Sequence, residues 1–523
     1  MSKSEAKKVI NLPLNTQVQF DEKKYTIPAP YLIQDGRLFV TVKGEEVPVS
    51  RHIPVITKEY TDLESGNDYV EITWKELDKI KKFIESSSIL GRKKDLLEMS
   101  VKGLSVNENN YKKVMEFLDK FLIENQEDKK LLTTRLGNVK GEFIHPNLIG
   151  DIIIAPGSDG EAQVLKSFQE KGTIESWQTE VLDLVRDHPK VMFFLVASFA
   201  AVLVKDVDIN SFIVDLSGFT SEGKSTTLQV ASTVWGSKEY VGGWKSTAVG
   251  VERLSNFLQN FPVILDDTRN ASEKILREVA YDFSQNKGKI RGSIIGMQKL
   301  STWRSILLTS GEVPILDYCD RAGQSARIVQ IKDNPFNEYE QDYMFKLYKA
   351  MSNNYGVVGR TFLERWLNLD LENKNKLLAH YQEIRSRYAN NSNGNDVLSR
   401  ISANYALIHF TAQLLNQFFD FNIDTKPFEE MFLKESQENK TLDKPRQLLE
   451  KMLGELNSSR KNIFYEGEYE PDQVDAIYKN AKKGEKDKLY FTVEFCNRFL
   501  EKESNQIRKQ WQKLYNYTKK WKR

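Results

Sequence analysis

The chain has 523 residues, of which 40% are hydrophobic and 28% charged, and its formal net charge at pH 7 is +2. This length exceeds what a single hydrophobic core holds, so we expect two or three domains of an ordinary globular protein. Because the net charge is small, any surface for nucleic acid must be a local patch. The two cysteines, Cys319 and Cys496, lack zinc-site spacing, which excludes a disulfide framework and favours a reducing compartment.

The apolar run at residues 191–204, VMFFLVASFAAVLV, is the longest in the sequence. It falls short of the roughly 20 residues that cross a bilayer, so it predicts a buried helix and no membrane partner. The opening residues MSKSEAKKVINLPLN lack the apolar core of a signal peptide. We therefore expect a cytoplasmic protein.

Residues 1–155 are predicted to form a small α+β domain with a collar or DNA-docking role. Asp35-Gly36 between YLIQ and RLFV predicts a hairpin, because glycine accepts a positive φ. From Lys75 the apolar spacing becomes helical through Phe83, Leu96, Met115 and Leu118. Four aromatic residues could pack in a core or stack on single-stranded bases, and core packing is favoured: Tyr25, Tyr31, Phe39 and Trp74.

A phosphate loop is predicted at residues 218–226, GFTSEGKST, between an apolar run and a helix-like run. The sequence fits G-x-x-x-x-G-K-[ST], in which glycines let backbone N–H groups surround a phosphate. Lys224 would reach the β- and γ-phosphates of ATP, and Ser225 would bind Mg²⁺. The predicted nucleotide contacts are Gly218, Ser221, Glu222, Gly223, Lys224, Ser225 and Thr226. The alternative is a chance glycine turn at a strand-to-helix corner.

Residues 262–267, PVILDD, are an apolar run that ends in two carboxylates. A neighbouring parallel strand would carry them to the same phosphates. Asp266 would then hold Mg²⁺, and Asp267 would polarise the attacking water as general base. The following strand-like run, WRSILLTSGE, places Ser310 where it could hydrogen-bond the γ-phosphate or that water.

Between these two strands, the segment QNKGKIRGS carries Lys287, Lys289 and Arg291 at every second residue. In an extended backbone the three cations point to one side, and the nearby glycines permit a projecting hairpin. The segment could contact nucleic acid or could be a solvated charged hairpin. Farther on, Arg321 and Arg327 precede another strand, where either could reach the ATP of a neighbouring subunit or be an ordinary surface arginine.

The chain beyond Glu340 is predicted to be helical, with a polar loop at residues 390–395. Residues 426–523 contain strand-like NIFYEGE and KLYFTV with a helix predicted between them, an arrangement that suits a winged-helix module. The basic tail interleaves cations with aromatic residues, which favours duplex DNA over a solvated face. Its predicted DNA contacts are Arg508, Lys509 and Lys513.

Several motifs together resemble one family. GFTSEGKST, GGWKSTAVGVE, PVILDD, NKGKIRG and LLTSGE are similar to motifs of the MCM-like AAA+ replicative helicases of staphylococcal cassettes and pathogenicity islands. The likeness extends over about residues 191–417. It implies that Lys224 and Ser225 are Walker A, that Asp266 and Asp267 are Walker B, and that Ser310 is sensor 1. Asp267 stands where the family usually has Glu, and Ser310 where MCM proteins have Asn.

The resemblance also assigns the arginines and the assembly. Arg327 corresponds to the arginine finger and Arg400 to a sensor 2 arginine, while the segment from Lys287 to Arg291 corresponds to a hairpin that projects into a central pore. It implies a hexameric ring with single-stranded DNA in the pore, ATP and Mg²⁺ as cofactors, and 3′-to-5′ movement.

The sequence thus predicts an α/β protein with three parts. These are the N-terminal α+β domain at 1–155, an AAA+ P-loop ATPase with a helical lid at 156–425, and a winged-helix-like DNA-binding domain at 426–523. The predicted function is an ATP-dependent, hexameric DNA helicase that unwinds duplex DNA during replication of a mobile genetic element. Alternatives are an ATP-dependent DNA-binding switch or loading factor without translocation, and the helicase part of a primase-helicase.

Overall fold

The computed structural model describes residues 17–20, 22–148, 150–220, 222–290, 292–293, 296–297, 300–318, 326–337, 339–392, 396–438, 444–481 and 487–499. The chain folds as two compact units. Unit 1 comprises Met1–Phe168 with Asn256–Gln259, and unit 2 comprises Gln169–Ser255 with Asn260–Arg523. The three-part division at residues 155 and 425 stays a prediction.

Unit 1 is mainly antiparallel β-structure. Its five-stranded sheet has the order β12-β9-β6-β7-β8, and its three-stranded sheet has the order β3-β4-β5. The strands are β1 (Gln17–Phe20), β2 (Lys23–Thr26), β3 (Tyr31–Gln34), β4 (Arg37–Val42), β5 (Glu45–Ser50), β6 (Val55–Asp62), β7 (Asp68–Glu76), β8 (Lys79–Ser86), β9 (Lys130–Thr133), β10 (Gly137–Val139), β11 (Glu142–Ile144) and β12 (Ile152–Ile154). The helices are α1 (Lys93–Glu98), α2 (Tyr111–Glu124) and α3 (Asp159–Ser167).

The core of unit 1 forms under helix α2, whose buried residues recur at helical spacing: Val114, Phe117, Leu118 and Phe121. Tyr25, Tyr31 and Trp74 are buried in the same core, which supports core packing for the aromatic residues. The predicted hairpin is confirmed, since Gln34 pairs with Arg37 across Asp35 and Gly36, both at positive φ.

The helical prediction is wrong for its first part, because residues Lys79–Ser86, which include Phe83, form strand β8. A two-residue turn at Leu77 and Asp78 returns the chain, and β8 then pairs along β7 from Glu76↔Lys79 to Tyr69↔Ser86. Pairing with β7 outweighs the local helical spacing of apolar residues in this segment. The prediction is confirmed farther on, where Leu96 lies in α1 and both Met115 and Leu118 lie in α2.

Unit 2 contains a parallel sheet covered by helices. Its strands are β13 (Phe212–Ser217), β14 (Gly242–Gly243), β15 (Val263–Asp266), β16 (Gly292–Ser293), β17 (Gly296–Met297), β18 (Ile306–Gly311), β19 (Ile328–Lys332), β20 (Ile463–Tyr465), β21 (Ala476–Lys479) and β22 (Lys488–Phe491). Its helices are α4 (Ile174–Trp177), α5 (Asp183–Val185), α6 (Pro189–Ala200), α7 (Lys224–Ser232), α8 (Ala248–Leu258, whose end belongs to unit 1), α9 (Glu273–Phe283), α10 (Tyr343–Asn353), α11 (Val357–Leu367), α12 (Leu371–Asn390), α13 (Asp396–Phe419), α14 (Lys426–Glu438), α15 (Lys444–Ser458) and α16 (Val493–Phe499).

The five strands of the central sheet are parallel and have the order β14-β15-β18-β13-β19. Every residue of β13 is buried, as expected for a strand covered on both faces. The two strands that carry the predicted loop and carboxylates are not direct neighbours, which corrects the sequence-based expectation. Strand β18 lies between them and pairs with both.

Helix α6 packs on α7 and β18, and its residues from Val191 to Ala200 are all buried. The predicted buried helix is therefore confirmed. Among the described residues, no helix has the length and apolar character needed to cross a bilayer.

The chain beyond Tyr343 is helical as predicted, through α10 to α15. Near its end, β20 pairs in parallel with β21, and β21 pairs antiparallel with β22. The helix predicted between the two strand-like runs is wrong, because β21 occupies that position. Its residues Ala476–Lys479 complete the sheet by pairing on both sides, a long-range contact that local spacing does not reveal.

Gly359 of α11 provides a test of how closely the helices of unit 2 pack. A Cβ at Gly359 would lie 2.2 Å from the carbonyl oxygen of Val234, whereas a Cβ at Gly454 of α15 would meet nothing within 4 Å. Gly359→Ala should destabilise unit 2 by about 1–3 kcal/mol through overpacking. Gly454→Ala should be neutral or stabilise by up to about 1 kcal/mol, because alanine is the better helix former. Thermal unfolding of both variants measures the difference, and equal midpoints would contradict the close contact between α11 and the turn that follows α7.

Candidate functional site

The predicted phosphate loop connects the end of β13 to the start of α7. Gly223 precedes the helix in a left-handed conformation, with φ of 85°. A Cβ there would lie 2.6 Å from the ring of Phe336, and a Cβ at Gly218 would lie 2.7 Å from the Glu222 carboxylate. Glycine is therefore required at position 223 by the backbone conformation, whereas at position 218 the nearest atom is the movable end of a side chain. The loop keeps its backbone N–H groups at the amino end of a helix, where an anion binds favourably.

Lys224 is half-buried and folds back over the loop. Its Nζ donates to the carbonyl oxygens of Gly218, at 3.0 Å, and of Phe219. Ser225 is exposed beside it, while Thr226 is buried and its hydroxyl lies 2.7 Å from that of Tyr348. A bound phosphate would take the place of these two carbonyl oxygens as the partner of Lys224.

The carboxylates and the predicted sensor residue lie together at the same edge of the sheet. Leu265 pairs with Thr309, so the next residues, Asp266 and Ser310, are side by side. The Ser310 hydroxyl donates to Asp266 Oδ1, and the backbone N–H of Asp267 lies 3.4 Å from Ser310 Oγ. The strand order therefore brings together the three polar side chains that the sequence predicts to act on one phosphate.

Asp267 has a left-handed backbone, with φ of 62°, and begins a 3₁₀ turn at Thr268–Asn270. Its two carboxylate oxygens accept from Arg269, Nε to Oδ1 at 2.9 Å and Nη2 to Oδ2 at 3.1 Å. This pairing lowers the pKa of the Asp267 carboxyl group below its usual range. Arg269 also donates to Glu312, which accepts from the Thr220 hydroxyl in the phosphate loop.

Sequence reasoning did not identify Arg269 and Glu312 as site residues. Arg269 follows PVILDD by two residues, and Glu312 ends the LLTSGE motif. The available signal was a charged residue next to each of the two predicted motifs. Charged residues in exposed turns are usually solvated, so they do not by themselves indicate a site. Only the fold shows that they meet.

Arg327 and Arg400 lie near each other and away from the phosphate loop. Arg327 precedes β19, at the edge of the sheet opposite the loop, and its backbone oxygen accepts from Ile213. Its guanidinium lies 5.6 Å from the ring centre of Tyr281. Burial and then the positive charge of exposed Arg400 lower the pKa of Arg327. The two predicted arginines thus form one positively charged site.

The part of the chain between α9 and β18 contains an antiparallel hairpin, as predicted. Lys287 pairs with Thr302 at its base, and β16 pairs with β17 farther out. Lys289 forms ion pairs with two carboxylates on α9. Its ammonium group contacts Glu278 and lies 3.6 Å from Asp282. The carboxylate of Glu278 raises the pKa of Lys289. The base of the hairpin is therefore attached to α9 through an ion pair that the sequence did not indicate.

Some predicted residues lie outside the described part of the chain: Ser221, Arg291, Arg321, Arg508, Lys509 and Lys513. Within the described part, no three His, Cys, Asp or Glu side chains form a group that could hold a metal ion. Mg²⁺ in nucleotide sites needs only one or two protein oxygens, with water and phosphate as the remaining ligands. The carboxylate of Asp266 and the hydroxyl of Ser225 fit that donor set.

Comparison with solved structures supports the fold. A structure described as "SCCmec type IV Cch - active helicase" is 15% identical, with a TM-score of 0.71 over 92% of this chain and 92% of that chain. At this identity the likeness concerns the fold. Two structures of the NrS-1 C-terminal region cover 72% of this chain and 83% or 91% of their own, at 13% and 11% identity, with TM-scores of 0.28 and 0.27.

No curated protein sequence matches this chain. One protein family does, over residues 41–303, which is just over half of the 523 residues. The matched segment includes the phosphate loop, the two carboxylates and the hairpin. The chain belongs to the family described as "Domain of unknown function (DUF927)".

Proposed function

We propose that this protein is an ATP-dependent DNA helicase that acts as a ring, most simply a hexamer, with an AAA+ core. The observation that carries the proposal is the position of a basic hairpin between the strand of Asp266 and the strand of Ser310. Both strands end at the phosphate loop, and the hairpin is joined to them through α9 and the start of β18, so a change at the phosphates would reach the hairpin through these two elements. The fold shared with a protein described as an active helicase supports the same function.

In the proposed reaction, the chain's own residues bind and orient ATP. Lys224 leaves its two carbonyl partners for the β- and γ-phosphates, and the backbone N–H groups of the loop surround the β-phosphate. Ser225 and Asp266 would hold Mg²⁺, which would neutralise part of the phosphate charge. Ser310 fixes the orientation of Asp266 by its hydrogen bond. Asp267 accepts a proton from the attacking water as general base.

The position of Arg327 is an argument in favour of a ring. From Arg327 to Lys332, five residues of β19 rise by roughly 3.3 Å each, which separates the arginine from its own phosphate loop by about 17 Å. Lys332 pairs with Ser217 at the loop edge of the sheet. Arg327 is therefore placed to serve as a finger for the ATP of a neighbouring subunit, with Arg400 beside it as the sensor 2 arginine.

The C-terminal region and the hairpin are proposed to contact DNA. Residues 426–523, with the tail cations Arg508, Lys509 and Lys513, would bind duplex DNA, and the hairpin cations would hold single-stranded DNA in the pore. Movement along DNA by gripping phosphates is blind to sequence. Such an enzyme, in the cytoplasm, would open the replication origin of a mobile genetic element and move 3′ to 5′.

Lys224→Ala should lower ATP turnover by at least about 100-fold, because the γ-phosphate loses its main cation. Asp266→Ala should produce a similar loss through Mg²⁺. Phosphate release by the purified variants measures both effects. Near-wild-type turnover in either variant would contradict the assignment of the loop or of the Asp266 carboxylate.

Arg327→Ala should retain most of its ATP affinity but lose roughly 10³-fold in turnover, because the finger acts on the neighbouring subunit's ATP. Mixing Arg327→Ala with Lys224→Ala should restore part of the activity, since some interfaces then combine an intact loop with an intact arginine. Loss of ATP binding in the single variant, without restoration in the mixture, would give Arg327 a structural role.

The double variant Lys289→Ala/Arg291→Ala should keep its ATP turnover without DNA, lose most of its stimulation by single-stranded DNA, and fail to unwind a tailed fork. The matched control is Lys274→Ala/Lys349→Ala, which removes two exposed lysines from α9 and α10. Normal unwinding by the hairpin variant would favour the DNA-binding switch. Unwinding of 3′- and 5′-tailed forks by the wild-type protein gives the direction of movement.

A further inference from the structure

Among the described residues, the Arg327 guanidinium contacts an amide and an aromatic ring at the end of α9. The amide is that of Gln285, whose oxygen accepts from Nη1 at 2.7 Å and from Nη2 at 2.9 Å when it faces the guanidinium. The donors set this orientation, because the reverse one would direct the amide NH₂ group at the N–H groups of Arg327. The ring centre of Tyr281 lies 5.6 Å from the guanidinium carbon. Tyr281 and Gln285 are four residues apart, the spacing that places two side chains on one side of a helix.

The backbone that carries Gln285 is anchored to the start of the central sheet. The next residue, Asn286, accepts through its side-chain oxygen from the N–H of Ser211, at 2.7 Å, just before β13 begins. Two residues farther along, the N–H of Ile213 donates to the carbonyl oxygen of Arg327 at 2.9 Å. The amide and the arginine are therefore held by the same end of β13, and the buried sheet sets the distance between them.

The surroundings of Arg327 hold its guanidinium without pairing it with an acid. Burial, and then the nearby charge of Arg400, lower the pKa of Arg327, while Tyr281 acts in the opposite direction. A carboxylate at position 285 could accept the same two N–H bonds, but it would form a bidentate ion pair and offset the positive charge. The Gln285 amide provides two acceptor bonds and leaves that charge in place.

We infer that Gln285 is a positioning residue for Arg327: together with the ring of Tyr281, its amide oxygen orients the guanidinium without neutralising it, so that the full charge reaches the γ-phosphate of the neighbouring subunit's ATP. The inference rests on the proposed function, in which Arg327 is the finger. A finger stabilises the charge that develops on the transferred phosphoryl group, so turnover depends on both its position and its net charge.

The test compares Gln285→Glu with Gln285→Ala in the full-length chain, by steady-state ATP turnover over a range of ATP concentrations. Gln285→Glu keeps two acceptor bonds but pairs the guanidinium, so kcat should fall at least about tenfold, the scale of a hydrogen bond between charged groups. Gln285→Ala loses the bonds but leaves the charge, so kcat should fall less, by about two- to tenfold, the scale of a neutral hydrogen bond. KM for ATP should stay within about twofold in both, because the phosphate loop is unchanged.

The order of these two variants separates positioning from a purely structural role. A structural role predicts the opposite order, because glutamate retains the contacts of Gln285 and alanine loses them. Thermal unfolding provides the independent measurement: Gln285→Glu should unfold at or above the midpoint of Gln285→Ala while turning over ATP more slowly. The matched control is Gln382→Glu, which adds the same charge at an exposed residue of α12 and should retain the wild-type kcat.

The defect of Gln285→Glu should lie on the arginine side of each subunit interface. Mixing this variant with Lys224→Ala should therefore restore part of the turnover, because an intact loop then meets an intact Arg327. If Gln285→Glu does not fold, Tyr281 provides a second test, since it is 44% exposed. Tyr281→Leu should lower kcat about three- to thirtyfold by removing the ring, and Tyr281→Phe, which keeps the ring, should recover most of that loss.

Wild-type kcat in a folded Gln285→Glu variant, with Arg327→Ala inactive, would overturn the inference and leave the finger assignment intact. A lower kcat in Gln285→Ala than in Gln285→Glu would overturn it as well, and so would a mixture with Lys224→Ala that restores no turnover. Failure of the proposed function would be seen in other variants: Lys224→Ala or Arg327→Ala would then turn over ATP normally, whatever the residue at position 285.

Discussion

The parallel alignment of β13, β15 and β18 is the constraint on which the site depends. Parallel strands end at one edge of a sheet, and the observed register places Asp266 beside Ser310 and Ser310 beside the strand that leads into the loop. All six residues of β13 and of β18 are buried, so a shift in register would expose apolar side chains and bury polar ones. The core therefore fixes the geometry of the polar groups, although it contributes no chemistry itself.

The same alignment separates the arginines from the phosphates. A residue that begins a strand, as Arg327 does, must lie at the opposite edge from the residues that end its neighbours. In the proposed function, each subunit carries half of a site at each edge of the sheet. Repeated head-to-tail association completes every site and closes a ring when the rotation between subunits permits. In the proposed function, assembly is therefore a consequence of strand direction.

Much of this arrangement could be predicted from sequence because it is local. The phosphate loop depends on glycine spacing, the Asp35-Gly36 hairpin on one dipeptide, and the burial of α6 on an uninterrupted apolar run. Strand order, β8 and β21 could not be predicted, because partners distant in the chain decide them. Arg269 and Glu312 were missed for the same reason: each is unremarkable in its own exposed turn, and their meeting depends on the order β15-β18-β13.

The charged groups of the site already have partners within the chain, and this determines what a ligand must do. Lys224 contacts two carbonyl oxygens, Asp267 contacts Arg269, and Lys289 contacts Glu278. Arg269 and Lys289 are about half exposed, with side-chain exposures of 54% and 53%, so solvent screens their pairs. Exposed ion pairs of this kind contribute little to stability. Charge-assisted bonds to phosphate in a site closed from water are stronger. Phosphate groups can therefore replace the carbonyl oxygens at Lys224 and the Glu278 carboxylate at Lys289 without disturbing the buried sheet.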